Sequence, residues 1–169
     1  MMATTTEIRS SAADAALDER ELRAWRGMLR VHASLTKALD AQLEAAHGLP
    51  LSSYEVLMYL ADAPEEKMRM SELASSVILS RSGLTRLVDR LEREGLLERQ
   101  SCPSDARGAF AKLTPAGRAK LHAARSTHLD GVRALFLHRL SATELDALAE
   151  TWEKVLPGAA HAPGPACGA

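Results

Sequence analysis

The residues with the clearest chemical character lie on one face of a predicted helix between Ser80 and Gly95. Within SRSGLTRLVDRLEREG, apolar residues recur at helical spacing, while Ser80 and Gly95 are typical of a helix start and a helix end. The opposite face carries Ser82, Thr85, Arg86, Asp89, Arg90 and Arg93. Arginine bonds guanine bidentately in the major groove, so this face suits DNA, although any solvated helix face is also rich in charge.

The neighbouring segments decide between these two interpretations. Ser71 is a natural N-cap for a short helix that precedes the charged one. Beyond it, Leu96 to Arg99 and Ala109 to Leu113 predict two strands, joined by a loop from Cys102 to Gly108. Helix, turn, helix and hairpin together have the layout of a winged helix, which favours a DNA-reading element over a merely solvated face.

The stretch from Ser52 to Arg118 resembles the MarR family of transcriptional regulators. MSELA, SRSGLTRLVDRLEREGLLER and SDARGAFAKLTPAGR are similar to its winged helix-turn-helix. The family's wing signature appears as Asp105-Ala106-Arg107, followed by Leu113-Thr114 and Gly117. The resemblance implies a mainly α fold, in which a winged helix-turn-helix with a small β-wing joins interleaved N- and C-terminal dimerisation helices.

The resemblance also implies a DNA-binding role for individual residues. Base edges are expected to face Ser82, Thr85 and Arg86, and Arg107 at the wing tip is expected to enter a narrow minor groove. Phosphate contacts are expected from Ser80, Arg81, Arg90 and Arg99. Asp105 is expected to brace an arginine within the protein, and a simple turn-forming role is the alternative.

The chain is expected to consist of one folded unit with disordered ends. Residues 1–13 are small and polar, and the tail 157–169 is rich in Ala, Pro and Gly, so both are expected to be disordered. Residues 14–156 form the single MarR-like unit. Within it, 14–50 and 115–156 are the predicted dimerisation helices and 51–114 the DNA-binding lobe.

Several helix boundaries within this unit are predicted from local signals. A wide apolar face from Asp14 to His47 predicts a long helix buried between subunits. Ser52 or Ser53 is the expected cap of the next helix, Thr114-Pro115 begins another, and Ser141 begins the last.

Charge and composition are compatible with a cytoplasmic DNA-binding protein. The chain has 169 residues and a net charge of −1, but ten Lys or Arg stand against five acids between Arg81 and Arg125. Phosphate binding depends on a local basic face, and an acidic remainder can coexist with it. A secretory signal and a membrane-length apolar run are absent, and two cysteines make no disulfide framework, so we expect the cytoplasm.

The sequence predicts no enzyme, metal site or cofactor. It contains no nucleophile-elbow or phosphate-loop motif, and its six histidines include no H-x₃-H pair. The resemblance implies a small-molecule pocket beside the dimer helices, with Trp25, His32 and Glu55 as candidate lining. Ordinary core packing is the alternative for Trp25. The urate-responsive branch of the family also has a Trp in its first helix and an acid in the next, but a match at two residues is too slight to assign urate as the effector.

These observations predict a homodimeric, sequence-specific transcriptional regulator. We expect it to bind double-stranded DNA at a pseudopalindromic operator, to act as a repressor, and to be released by a small-molecule effector. The alternative is a winged-helix module that binds another protein and reads no DNA. Ten basic residues across helix, wing and following helix favour DNA.

Overall fold

The computed structural model describes residues 16–77, 80–102 and 105–159, with their side chains except at 81, 102 and 105–108. The segment 1–13 and most of the tail 157–169, both expected to be disordered, lie outside these ranges. The elements in the described ranges are α1 (Glu19–His47), α2 (Leu51–Asp62), a 3₁₀ turn (Pro64–Glu66), β1 (Lys67–Arg69), α3 (Met70–Ser76), α4 (Arg81–Arg93), β2 (Leu97–Cys102), β3 (Asp105–Leu113), α5 (Pro115–Leu135), a second 3₁₀ turn (Leu137–Arg139) and α6 (Ala142–Val155). The predicted mainly α winged-helix fold is confirmed.

The chain divides within α1 into two units, residues 1–34 and 35–169. In the first unit, α1 begins after Asp18, whose carboxylate accepts the N–H of Glu21 at 2.8 Å. The predicted start at Asp14 is too early, because residues 16–18 are not helical and this capping contact fixes the first turn at Glu19. Large apolar side chains in this part of α1, those of Trp25, Leu29 and Val31, are about half exposed.

In the second unit, α2 runs through the centre of the apolar core. Val56, Leu57 and Leu60 are fully buried, as predicted from their spacing. The prediction that Ser52 or Ser53 caps α2 is wrong. The helix begins at Leu51, and its N–H is satisfied by the Asp40 carboxylate of α1 at 2.8 Å instead of by a hydroxyl.

The helix-turn-helix consists of α3 and α4. Ser80 caps α4 as predicted, since its hydroxyl accepts the N–H of Gly83 at 3.1 Å. The predicted cap at Ser71 is wrong, because α3 begins at Met70 with Arg69 in the capping position. The N–H of Arg69 is satisfied by the Glu72 carboxylate at 3.1 Å, so the helix starts without a capping hydroxyl.

The small sheet has the strand order β1-β3-β2, and both pairs are antiparallel. Arg69 lies opposite Phe110 in one pair, and Gln100 lies opposite Phe110 in the other. The regular register ends at Ser101 opposite Ala109, and after an irregularity Cys102 lies opposite Asp105. The wing strands are therefore longer than predicted, and much of the expected loop from Cys102 to Gly108 is strand. Extending the pairing adds hydrogen bonds between the two strands. The sequence did not predict this extension, because its apolar runs are shorter than the strands.

The last two helices begin as predicted, at Pro115 after the Thr114 cap and at Ala142 after the Ser141 cap. The first turn of α5 lies directly on the chain that leaves α4. A Cβ built on Gly117 would stand 2.0 Å from the Leu96 carbonyl oxygen and 2.8 Å from Leu113 Cδ1. The backbone oxygen cannot move aside without disturbing β2, so only glycine fits at this point.

We expect Gly117→Ala to lower the free energy of unfolding by about 2 kcal/mol or more, because the added methyl overlaps backbone instead of a flexible side chain. The measurement is urea unfolding at a fixed protein concentration. Gly27→Ala is the matched control, since a Cβ there meets nothing within 4 Å and alanine is favoured by up to about 1 kcal/mol in a helix interior. Equal stability of the two variants would contradict this assignment.

Candidate nucleic-acid interface

Helix α4, the second helix of the helix-turn-helix and below called the recognition helix, is held in one orientation by its buried apolar side and by the turn at its C-terminal end. Leu84, Val88 and Leu91 are essentially buried, so the opposite side of the helix faces outward. At its C-terminal end, Gly95 has φ +71°, its N–H bonds the Glu92 carbonyl, and the next N–H bonds that of Leu91. This pair of bonds is a Schellman motif, and it confirms the predicted glycine stop.

The first two turns of α4 present a small polar face. Ser82, Thr85 and Arg86 are all exposed, as predicted. The guanidinium Nε of Arg86 donates to the Ser82 carbonyl at 3.3 Å, and the Ser80 and Ser82 hydroxyl oxygens lie 3.3 Å apart. Arg81 begins the helix, and its side chain is outside the described set. Two hydroxyls and a guanidinium at a helix N-terminus can bond base edges and phosphates.

Arg90, one turn further along, is held differently. Its Nη2 donates to the Ser53 hydroxyl at 2.5 Å, and its Nε lies 3.8 Å from the Glu94 carboxylate. Ser53 is fully buried on α2. Arg90 therefore bridges the recognition helix to α2, while its side chain remains 40% exposed to solvent. The sequence placed Arg90 on the outer face but gave no sign of this bridge.

A cleft of about 250 Å³ lies between α4 and the start of α2. Its lining is formed by Ser52, Gly83, Arg86, Leu87 and Arg90. Two guanidinium groups and the N-terminal turn of α2 make this cleft electropositive. Ser52 lines this cleft. The sequence analysis did not predict its place beside the arginines, because it interpreted Ser52 as a helix cap.

Arg99 on β2 is occupied by two carboxylates of α4. Its Nη2 donates to Asp89 at 2.5 Å and its Nη1 to Glu92 at 2.8 Å. The backbone N–H of Arg99 also donates to the Glu92 carboxylate, at 3.0 Å. These bonds tie the first wing strand to the recognition helix. The phosphate contact predicted for Arg99 stays a prediction.

At the tip of the wing, only the backbone of Cys102 and of residues 105–108 is described. Asp105 and Arg107 lie on β3, and Asp105 lies opposite Cys102, beyond the irregularity in the β2–β3 pairing. The side chains of Asp105 and Arg107 are outside the described set, so the bracing role of Asp105 and the minor-groove role of Arg107 stay predictions.

The three candidate effector residues differ in exposure. Trp25 and His32 on α1 are exposed, the former by 53%, whereas Glu55 on α2 is half-buried. Burial raises the pKa of the nearby Tyr59 hydroxyl, and the negative charge of Glu55 raises it further. Their predicted role in effector binding stays a prediction.

Neither a metal site nor a membrane-spanning helix is found among the described residues. Among those residues, no group of three or more His, Cys, Asp or Glu side chains is arranged to hold a metal ion. A helix long and apolar enough to cross a membrane is likewise not found in the ranges that the structure describes.

Residues 47–108 match the sequence model of the MarR family. The chain is 30% identical over 91 residues to the HTH-type transcriptional repressor YetL of Bacillus subtilis, and this match spans 54% of each protein, about half of YetL. Two solved structures from Streptomyces coelicolor are similar over a greater length. The MarR family regulator AbsC is 33% identical with a TM-score of 0.77, over 83% of this chain and 95% of AbsC.

The second is Sco3205, a MarR family transcriptional regulator solved in complex with DNA. It is 36% identical with a TM-score of 0.79, over 85% of this chain and 93% of its own. A mutant of Escherichia coli MarR complexed with operator DNA is 26% identical with a TM-score of 0.72, over 85% of this chain and all of that one. The fold, the wing signature and this degree of identity agree, and the chain belongs to the MarR family of transcriptional regulators, not to an enzyme family.

Proposed function

We propose that the protein is a homodimeric repressor that binds a pseudopalindromic operator in the cytoplasm. The observation that carries this proposal is the outer face of α4, where Ser82, Thr85 and Arg86 are exposed on a helix anchored by buried leucines. Such a face meets base edges when the second helix of a helix-turn-helix lies in the major groove. The relatives solved with DNA support the same mode of action.

Exposed apolar residues at the two ends of the chain support a dimer. Trp25 and Leu29 on α1 are 53% and 47% exposed, and Val155 at the end of α6 is 70% exposed. Soluble monomers rarely leave large apolar patches in water, so a second copy is the expected cover. An operator with two related half-sites follows, because a two-fold dimer presents two recognition helices.

Within each half-site we propose separate roles for the DNA-binding residues. Ser82, Thr85 and Arg86 face bases, while Ser80, Arg81, Arg90 and the newly located Ser52 hold phosphates around the cleft beside α2. Arg107 enters the minor groove from the wing, and Asp105 braces it or another arginine. Release by a small molecule near Trp25, His32 and Glu55 completes the proposal.

The competing function is a winged helix that binds a protein partner. The electropositive cleft lined by Arg86 and Arg90 favours DNA. Binding that depends on phosphate releases counterions and falls steeply with salt, whereas a mainly apolar protein contact does not.

Selection of bound fragments from random DNA tests the function directly. We expect enrichment of a pseudopalindrome whose half-site centres lie about 10 bp apart, or a multiple of that, because this spacing brings both recognition helices to one side of the duplex. Footprinting on the enriched sequence should protect both halves. A single asymmetric half-site bound by one chain, or no enrichment, would overturn the proposal.

Two arginines on α4 should behave differently when replaced. Arg86→Ala should weaken binding to DNA that carries the preferred base by about 1–3 kcal/mol. It should also flatten sequence preference at one position per half-site. Arg90→Ala should weaken all sequences about equally and lower the salt slope by about one unit per subunit. Binding isotherms on specific and scrambled DNA at several salt concentrations measure both. If Arg86→Ala weakened both DNAs equally, the orientation of α4 in the groove would be wrong.

Arg99→Lys tests whether Arg99 holds the wing against α4 or contacts phosphate. Lysine keeps the charge and binds phosphate as a point charge, but it cannot bond Asp89 and Glu92 together in the observed geometry. We expect a several-fold loss of affinity for all sequences with an unchanged salt slope. Arg93→Lys, on the exposed end of α4, is the control and should bind like the parent. Parental affinity of Arg99→Lys would favour the phosphate role.

A further inference from the structure

A second cleft of about 250 Å³ opens on the DNA-binding lobe, outside the proposed DNA interface. It lies between the end of α2, the turn that follows, β1 and α3. Its lining is formed by Tyr59, Asp62, Ala63, Pro64, Lys67, Met68, Glu72 and Ser76. None of the residues to which a DNA or effector role was assigned is among them.

The carboxylates that line this cleft carry more negative charge than the cation beside them neutralises. Asp62 is exposed, and its carboxylate has no hydrogen-bond or ion-pair partner among the described residues. Glu72 uses one carboxylate oxygen for the N–H of Arg69, at 3.1 Å. The lining's own cation, the ammonium of Lys67, lies 2.5 Å from Glu65 and 5.9 Å from the centre of the Phe110 ring. Its charge is therefore already met by a carboxylate.

The remaining walls suit an apolar body attached to a cation. Met68, Ala63 and Pro64 contribute apolar surface, and the half-buried ring of Tyr59 lies among them. Burial and the charge of Glu55 raise the pKa of the Tyr59 hydroxyl, which therefore remains neutral and able to donate at physiological pH. The volume is below that of pockets for drug-sized ligands, so a ligand of about ten non-hydrogen atoms fits best.

The turn that forms one wall has an unusual backbone conformation. Glu65 and Glu66 have φ values of +55° and +54°, a left-handed conformation that costs side-chain-bearing residues free energy. Two ion pairs hold it in place. One is between Glu65 and Lys67, and the other is between Glu66 and Arg118 of α5, whose Nε donates at 2.7 Å.

We propose that this cleft binds a small primary amine with an aromatic or aliphatic body, and that its occupation weakens DNA binding. The ammonium lies between the Asp62 and Glu72 carboxylates. Glu72 also satisfies the N–H of Arg69 at the start of α3, so an ammonium that draws its carboxylate away loosens the first turn of that helix. Because α3 is the first helix of the helix-turn-helix, the change reaches the DNA-binding lobe. This second half of the proposal rests on the proposed function.

Calorimetric titration of the full chain without DNA tests the site independently of that function. The probes are 2-phenylethylamine, 2-phenylethanol and phenylacetate, which share one skeleton and carry positive, zero and negative charge. We expect the amine to bind at least tenfold more tightly than the other two, because only its charge matches the carboxylates. Equal binding of all three, or no binding of the amine, would overturn the site.

Asp62→Asn is the decisive variant, because Asp62 has no partner within the described protein and its replacement leaves the fold intact. We expect it to weaken amine binding about tenfold, and Glu72→Gln to do the same. Asp146→Asn, an exposed acid on α6, is the matched control and should bind like the parent. Retained affinity in Asp62→Asn, or its loss in Trp25→Phe instead, would place the amine elsewhere and overturn the proposal.

The coupling is read from DNA titrations with and without saturating 2-phenylethylamine. We expect a several-fold weaker DNA affinity with the amine in the parent protein, and no change in Asp62→Asn. Amine binding with an unchanged DNA affinity would overturn the regulatory half. Failure of the protein to bind any DNA would count against the proposed function alone, since the calorimetric result stands without DNA.

Discussion

The contact between Gly117 and the backbone of Leu96 is the constraint on which the DNA-binding lobe depends. At this point the end of α4, the start of β2, the end of β3 and the start of α5 meet. The Thr114 N–H donates to the Leu96 carbonyl at 3.2 Å, and the Thr114 hydroxyl donates to that of Gly95 at 2.7 Å. The same hydroxyl accepts the N–H of Gly117 at 3.0 Å. One threonine therefore caps α5 and joins it to the end of the recognition helix, which explains why Leu-Thr and a following Gly form part of the wing signature.

A second constraint sets the angle of the wing. Arg99 joins β2 to α4 through Asp89 and Glu92, which are one turn apart on the recognition helix. All three side chains are partly exposed, so the pairs contribute modestly to stability, on the order of 1 kcal/mol or less each. Their effect is geometric. Two bonds to one planar guanidinium define the direction of the strand relative to the helix more closely than one bond would.

Local signals in the sequence predicted those helix ends that local groups satisfy. Ser80, Thr114 and Ser141 cap helices with their own hydroxyls, and Gly95 ends one with its own backbone. The starts of α2 and α3 were predicted wrongly for two different reasons. In α2 the first N–H is satisfied by Asp40, a residue of another helix, which no pattern within α2 reveals. In α3 the Glu72 carboxylate of the first turn satisfies the capping residue's N–H, and so makes a serine cap unnecessary.

For the candidate site too, the sequence predicted the features that depend on one helix and missed those that depend on contacts between elements. The exposure of Ser82, Thr85 and Arg86 followed from helical periodicity, because the buried stripe of α4 determines which residues face outward. The pairing of Arg90 with Ser53 and that of Arg99 with two acids depend on how separate elements pack, and charge pattern alone did not predict them.

These pairings reduce the amount of positive charge between Arg81 and Arg125 that is available to bind phosphate. Of the ten Lys and Arg between Arg81 and Arg125, Arg99 and Arg118 are bonded to carboxylates within the protein. A cation already neutralised by its own chain displaces few counterions from DNA. Arg86, in contrast, has no carboxylate partner among the described residues. The attraction to phosphate therefore depends on fewer side chains than the charge count suggests.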